Sequence, residues 1–340
     1  LLDAAAAAIA RFIASDNHNL KYLGVTGLAA IVSEHPRYAG AHQMAVMDCL
    51  ESPDETLKRK TLDLLFRMTN PVNVEVIVDK LLEHLKGTAD RYLKEELVER
   101  ISRAAERYAP SNLWFVATMT TVFELGGDLV KPATADALVR LVAEGAGEED
   151  EEADNELRRE AVESLLDLSE RPALSAVLLQ TMFWVLGEYG YLAESMTLPQ
   201  VTERVVELAG RAGLSSETRA QAVAAAMKLT AQIGHLLPVA KALVERFQNS
   251  RDSDLAQRCA EFVALAGRPE TMRAVLPVDA SLEDVDVEVD LTAIDTYVNA
   301  ALEAGARKYS PPATDNGSGP SLVASTSGPG LKFEAYEDPE

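Results

Sequence analysis

The stretch SPDETLKRKTLDLLFRMTNPVNVEVIVDKLLEHL, residues 52–85, predicts two helices and the turn between them. Ser52, Pro53 and Glu55 fit the N-cap, first and third positions of a capping box. The serine oxygen can accept a backbone N–H, and the glutamate can reach back to the cap. One stripe with a 3.6-residue period then follows, formed by Leu57, Thr61, Leu64, Leu65 and Met68.

The second helix is predicted from its own apolar stripe and its boundaries. Asn70-Pro71 ends the first helix, because the residue before a proline is pushed out of the helical region. Asn73 is the predicted cap of the second helix and Gly87 its predicted end. The apolar stripe consists of Val74, Ile77, Val78, Leu81, Leu82 and Leu85.

Two helices with so short a connection must lie antiparallel. Leu62 and Phe66 give the first of them a second apolar side, which needs a neighbour beyond its own hairpin partner. The stretch is therefore predicted to be one unit of a larger array.

A nine-residue pattern from this stretch recurs along the chain, with apolar or small residues at its first, fifth or sixth, and ninth places. The copies span residues 20–28, 57–65, 93–101, 157–165, 218–226 and 255–263. Their starts are 37, 36, 64, 61 and 37 residues apart. Polar capping residues stand just upstream of five copies: Asn19, Asp54, Asn155, Ser216 and Asp252. Partner helices are predicted near residues 40–50, 74–86, 112–125, 133–144, 174–187, 199–211 and 237–248. This periodicity is typical of HEAT or armadillo repeats and predicts an all-α fold, a right-handed α-solenoid.

Composition agrees with an all-helical chain and narrows the possible partners. Of the 340 residues 47% are apolar and only 6% aromatic, and no window shows the alternation of a β-strand. A net charge of −22 argues against general nucleic-acid binding, which needs a basic footprint. Cys49 and Cys259 each fall within a helical pattern, which predicts small buried side chains in a reducing compartment.

The two ends of the sequence lead to different expectations. The opening LLDAAAAAIARFIASD carries Asp3 and no basic region, so it does not resemble a signal peptide, and no apolar run is long enough to span a bilayer. Because the chain starts at Leu1 inside a helical pattern, further helices are expected upstream. At the other end a last helix is predicted to finish at Gly305, on a stripe of Leu291, Ile294, Val298, Ala301 and Leu302.

The expected domain organisation is a solenoid over residues 1–308 and a disordered linker over residues 309–340. From Tyr309 the composition shifts to Pro, Gly, Ser, Thr and Asp, which cannot bury enough apolar surface to offset the entropy of ordering. SLEDVDVEVD, residues 281–290, is predicted to be irregular. The acidic run from Glu148 to Glu152 is interpreted as a solvated loop between helices, and a site for a basic partner is the alternative.

The sequence contains no recognisable catalytic, cofactor-binding or metal-binding set. HExxH, GxxxxGK[ST], GxSxG, CxxC and dinucleotide-binding fingerprints are absent, and no two of the five histidines lie three or four residues apart. The cluster Lys58-Arg59-Lys60 is interpreted as a solvated face, with an acidic ligand site as the alternative. Trp184 and Tyr189 are interpreted as core aromatics, with a partner hot spot as the alternative.

Four segments carry the most distinctive wording of the sequence: NHNLKYLGV at 17–25, DCLESPDETLKRKTLDLLFRMTNPVNVEVIVDKLLEHL at 48–85, APSNLWF at 109–115 and WVLGEYG at 184–190. These segments resemble the trunk of large-chain adaptins, most of all the epsilon type. The resemblance runs in order from about residue 16 to 308, and LKFEAYE at 331–337 is similar to the hinge that follows such trunks.

The resemblance implies a non-catalytic coat subunit that works by shape and contact. Its partners would be a beta-type large chain, a medium chain and a small chain, and it would act in cargo selection on vesicles leaving the trans-Golgi network. In this family, contact with an Arf-type GTPase and dileucine recognition belong largely to trunk positions expected to precede Leu1. No individual binding residue is carried over.

Periodicity alone also allows a HEAT scaffold of another kind, such as a nuclear transport receptor or a phosphatase scaffold. Two tryptophans, Trp114 and Trp184, are too few for the Trp/Asn ladder of an importin-alpha type receptor.

Overall fold

The structure is a computed structural model and describes residues 2–145, 151–280 and 292–308. Within these residues it contains sixteen α-helices and no β-strand. The helices are α1 (Leu2–Ile13), α2 (His18–Glu34), α3 (Ala39–Asp48), α4 (Glu55–Met68), α5 (Val74–Gly87), α6 (Arg91–Tyr108), α7 (Asn112–Gly126), α8 (Pro132–Glu144), α9 (Glu151–Ser169), α10 (Ala176–Tyr189), α11 (Leu198–Ala209), α12 (Ser216–Ile233), α13 (Pro238–Phe247), α14 (Ser253–Ala266), α15 (Pro269–Val275) and α16 (Asp295–Glu303). All seven predicted partner helices are present, with ends displaced by only a few residues.

The chain divides into two compact units, Leu1–Glu283 and Asp284–Glu340. In the first unit, even-numbered helices pack on one another: α2 on α4, α10 on α12, and α12 on α14. Odd-numbered helices pack on odd ones in the same way, as α5 on α7 and α7 on α9. Consecutive helices thus alternate between two layers. This is the arrangement of an α-solenoid, as predicted.

The stripe of α4 lies in the core between the layers. Leu57, Leu64 and Leu65 have no exposed surface, and Met68 is 2% exposed. Leu62 on the second apolar side is also buried, and Phe66 beside it is half-buried. These side chains belong to one continuous hydrophobic core that extends from α1 to α15. The prediction that this helix needs neighbours on two sides is confirmed.

The copy at residues 157–165 lies in the other layer from the remaining copies. It belongs to α9, which packs on α7 of the odd layer, whereas α2, α4, α6, α12 and α14 carry the other five copies. The two wider separations each contain two helices, α7 with α8 and α10 with α11. An extra helix on each side therefore moves the pattern into the opposite layer and back.

The predicted capping box at Ser52 is wrong, because Asp54 caps α4. The Oδ1 atom of Asp54 accepts from the backbone N–H groups of Thr56 at 2.8 Å and Leu57 at 3.3 Å. A carboxylate is favoured at this position because it also faces the positive end of the helix dipole. Ser52 ends a preceding 3₁₀ turn, and its hydroxyl lies 3.2 Å from Nδ1 of His18 instead.

Among the other predicted caps, Asp252 is confirmed and three are displaced. Asn17, rather than Asn19, caps α2, and Ser215, rather than Ser216, caps α12. Asn155 lies inside α9, because Glu151, Glu152 and Asp154 extend that helix toward its N-terminus, where negative charge is favourable. Of the predicted acidic loop, Glu151 and Glu152 are therefore helical, and residues 148–150 lie outside the described residues.

Asn73 occupies the N-cap position of α5 but does not bond to the helix with its side chain. Its Oδ1 accepts from the N–H of Asn70 at 2.8 Å, and its Nδ2 donates to the carbonyl oxygen of Met68 at 3.0 Å. The asparagine therefore stabilises the turn between α4 and α5.

The last helix, α16, is shorter than the predicted one. Ile294 precedes it and is 50% exposed, and Val298 and Leu302 are 42% and 38% exposed. Leu291 and residues 281–290 lie outside the described residues, as do residues 309–340.

Candidate interaction surface

The cluster Lys58-Arg59-Lys60 does not converge on one site. Nζ of Lys58 pairs with Glu55 at 2.9 Å, on the side of α4 that faces the end of α5. The guanidinium carbon of Arg59 lies 5.0 Å from the ring centroid of Tyr92 on α6, and Lys60 is exposed to solvent. The three cations have different neighbours, so they do not form a shared ligand site.

A larger feature lies between α4 and α6, where a groove of about 590 Å³ opens on the surface. We call it the α4–α6 groove. It is lined by Asp63, Phe66, Arg67, Tyr92, Glu95, Glu96, Glu99, Arg100 and Arg103.

Ion pairs and cation–π contacts organise the side chains of this groove. Arg100 on α6 pairs with Asp63 on α4 and, at 2.5 Å, with Glu96 on its own helix. The guanidinium carbons of Arg100 and Arg103 lie 5.9 and 6.0 Å from the ring centroid of Phe66. The groove is therefore a polar surface, on which four carboxylates lie among three arginines.

Neighbouring residues extend the charged surface toward α8. Nζ of Lys131 lies 2.8 Å from Oε2 of Glu99, and this hydrogen-bonded cation holds the pKa of Glu99 below its usual value. Tyr92 is 64% exposed, so the same face also presents an aromatic ring. Exposed aromatic and arginine side chains are typical of protein–protein contact surfaces.

Trp184 and Tyr189 form a T-shaped pair with ring centroids 6.0 Å apart. Tyr189 is only 2% exposed and Trp184 is half-buried against the core. Their place in the structure is that of packed core aromatics at the end of α10, which agrees with the preferred interpretation.

The remaining candidate residues are dispersed. Cys49 and Cys259 are buried free thiols, and burial raises the pKa of both. The part of the chain that the structure describes has no group of three or more His, Cys, Asp and Glu side chains placed to hold a metal ion. Every helix in that part is also too short or too polar to cross a bilayer.

Two long-range contacts were missed from the sequence. Arg59 on α4 lies against the ring of Tyr92 on α6, and Arg158 on α9 contacts Asp279 near the end of the first unit. The partners lie 33 and 121 residues apart in the numbering. No local pattern connects residues so far apart, since their contact depends on how the helices stack.

Taken together, the fold and its surface define a class: an α-solenoid scaffold whose open surface grooves suit contact with other proteins. The family described as "Adaptin N terminal region" matches residues 1–270. The chain belongs to this adaptin family.

Individual relatives agree with this assignment. The chain is 43% identical over 316 residues to "AP-4 complex subunit epsilon" of Arabidopsis thaliana, covering 91% of this chain and 34% of the relative. It is 41% identical over 314 residues to "AP-4 complex subunit epsilon-1" of Homo sapiens, covering 92% of this chain and 27% of the relative. The predicted resemblance to the epsilon type is thus confirmed, and the chain spans about a third of the length of these relatives.

The fold is also similar to that of a chain in a "Homology model of the full-length AP-3 complex in an intermediate open conformation". The TM-score is 0.59 at 14% identity, over 80% of this chain and 55% of the other. At this identity the likeness concerns the fold alone.

Proposed function

We propose that this chain is a non-catalytic structural subunit of a heterotetrameric adaptor complex, which sorts cargo during vesicle-mediated protein transport. The observation that carries the proposal is the 41–43% identity to AP-4 epsilon subunits across more than nine-tenths of the chain. A two-layer solenoid is suited to this role because it offers an extended surface to several partners at once.

The expected partners are a beta-type large adaptin, a medium chain and a small chain. The complex would associate peripherally with trans-Golgi network membranes and vesicle coats from the cytoplasmic side, and an Arf-type GTPase would contact trunk residues outside this chain. The α4–α6 groove supports assembly by surface contact, because it presents Tyr92 together with arginine side chains.

Co-expression tests the assembly. The 340-residue chain would be expressed with the beta-type, medium and small chains of an AP-4 complex, and in parallel with the corresponding chains of an AP-1 complex. We expect co-purification through size-exclusion chromatography with the AP-4 set and markedly less with the AP-1 set. A chain that is helical by circular dichroism but associates with no member of either set would contradict the proposal.

A binding assay distinguishes the adaptor from the alternative class, a HEAT scaffold such as a nuclear transport receptor. A nuclear transport receptor should bind a Ran-type GTPase in its GTP form, whereas the adaptor hypothesis predicts no such binding. Nucleotide-dependent capture of Ran by the chain would favour the rival.

A further inference from the structure

Arg158 on α9 is a buried side chain that contacts both α8 and α10. It is 8% exposed, and its Nε and Nη2 donate to the carbonyl oxygens of Val142 at 3.3 Å and Ala143 at 3.2 Å, near the end of α8. Its guanidinium carbon lies 4.8 Å from the ring centroid of Tyr189, the last residue of α10. The helices α8 and α10 thus hold this arginine in place.

Asp279, which follows α15 by four residues, contacts both Arg158 and Tyr189. Nη1 of Arg158 lies 2.9 Å from Oδ2 of Asp279, and the hydroxyl of Tyr189 donates to Oδ1 at 2.7 Å. Both carboxylate oxygens are therefore engaged, one by a cation and one by a phenol. Burial and the hydrogen bond to Asp279 raise the pKa of Tyr189, so the phenol stays a donor at neutral pH.

The backbone of Asp279 indicates that its side chain matters. Its φ is +59°, and among the described residues no other non-glycine residue has a positive φ. At a positive φ the Cβ atom of an L-residue lies too close to the backbone, and glycine avoids this cost because it has no Cβ. The contacts of its two carboxylate oxygens explain why Asp279 holds this backbone conformation.

α15 and the residue after it contact the rest of the first unit before the chain reaches Asp279. The side chain of Arg273 on α15 lies close to Gly234 at the end of α12, and Leu276 packs against the core. Four residues after α15, Asp279 contacts Arg158 on α9 and Tyr189 at the end of α10.

We propose that Arg158, Tyr189 and Asp279 form an intramolecular clasp, which fastens the segment after α15 to the α8–α10 part of the solenoid. The clasp also links α15 to α9, which are distant in sequence. This inference stands independently of the proposed function.

Hydrogen–deuterium exchange of the 340-residue chain tests the clasp. The variants are Asp279→Gly, which removes the carboxylate and relieves the backbone, and Tyr189→Phe, which removes only the hydroxyl. We expect amides of residues 272–280 to exchange at least about tenfold faster in each variant, with α12 unchanged. The controls Glu270→Gln on α15 and Tyr92→Phe on the exposed face of α6 should exchange as the parent does.

Combining the two substitutions tests whether Tyr189 and Asp279 act through one shared contact or independently. If Tyr189 and Asp279 act together, Tyr189→Phe with Asp279→Gly should accelerate exchange no more than the stronger single variant. Parent-like exchange in Asp279→Gly, or fully additive effects in the double variant, would overturn the proposal.

A distance measurement tests the clasp directly. Spin labels at Val278→Cys and Glu144→Cys, both exposed positions, would report on the separation of the segment from the end of α8, while the native cysteines are buried. We expect one narrow distance distribution in the parent background and a broad one with Asp279→Gly. A broad distribution in both would overturn the clasp.

Discussion

Leu64 shows how one residue of the repeated pattern supports the fold. It lies on the predicted stripe of α4, and the structure leaves it no exposed surface. It belongs to the continuous hydrophobic core, so a charge placed there would be removed from water. The sequence predicted this burial because stripe positions recur with the period of the helix.

Replacing Leu64 with Asp should lower the free energy of unfolding by about 4 kcal/mol, because it buries an unpaired charge. Chemical denaturation followed by circular dichroism measures the change. The control Thr56→Asp introduces the same side chain on the exposed first turn of α4 and should stay within about 0.5 kcal/mol of the parent. A parent-like midpoint for Leu64→Asp would show that this site is not core.

His84 on α5 should make stability depend on pH. Its Nε2 is buried and has no hydrogen-bond partner among the described residues. Burial, together with the cations Lys58 and Lys80, lowers its pKa below the ordinary value of 6.5, against a smaller opposing effect of Glu55. As pH falls through 6.5, the unfolded chain binds a proton at His84 before the folded chain does, so the folded state loses stability.

The variant His84→Gln should therefore lose less stability than the parent between pH 7.5 and 5.5. Urea denaturation at several pH values measures the difference, and His235→Gln, at an exposed position, is the control. Equal slopes of unfolding free energy against pH for His84→Gln and the parent would contradict this account.

At the scale of elements, the packing of α10 on α12 depends on a close approach of the two backbones. A Cβ atom added at Gly187 would lie 2.9 Å from Cα of Ala225 and 3.1 Å from its Cβ. The two helices run in the same direction, since Gln180 bonds to Thr218 near their starts and Gln232 bonds to the carbonyl of Gly187 near their ends. Small residues therefore set the spacing of this helix pair.

The added methyl of Gly187→Ala should cost about 1–3 kcal/mol, because the contact is with backbone that cannot move aside. Alanine gains roughly 1 kcal/mol in helix propensity, so the free energy of unfolding should fall by up to about 2 kcal/mol. Gly40→Ala in α3 is the matched control, since nothing lies within 4 Å of its added Cβ, and it should not destabilise the protein. Thermal or urea unfolding of the two variants gives the comparison, and a Gly187→Ala variant as stable as Gly40→Ala would contradict it.

Other helix pairs are spaced differently. The helices α4 and α6 are separated by the α4–α6 groove and are bridged by side chains, as in the pair of Arg100 with Asp63. The Asp63 side chain is 42% exposed, and ion pairs with this much solvent access contribute little to stability. This pair is therefore held mainly by the core side chains that both helices share with their neighbours.

At the scale of the whole molecule, the boundary between an ordered trunk at 1–308 and a linker at 309–340 stays a prediction. The Pro, Gly, Ser and Thr content of the last segment predicts that a protease of broad specificity cuts there first. Brief digestion followed by mass spectrometry should locate the earliest cuts after residue 308, before any within α9–α14. A segment that survives as long as those helices would contradict the linker.

The sequence by itself determined the repeated helices, their buried stripes and the family. These depend on spacing within one helix or on long contiguous motifs, and both are local properties of the chain. Leu57, Leu65 and Val78 were predicted as core for this reason, and all are buried.

Only the tertiary structure decided which of several nearby polar residues caps each helix, as Asp54 does in place of Ser52. It also decided that the copy in α9 lies in the other layer, and that Asp279 meets Arg158 and Tyr189. The physical reason is that these outcomes are competitions between neighbouring groups, or contacts between residues far apart in the chain. Such contacts are set by the stacking of whole helices, which no local pattern contains.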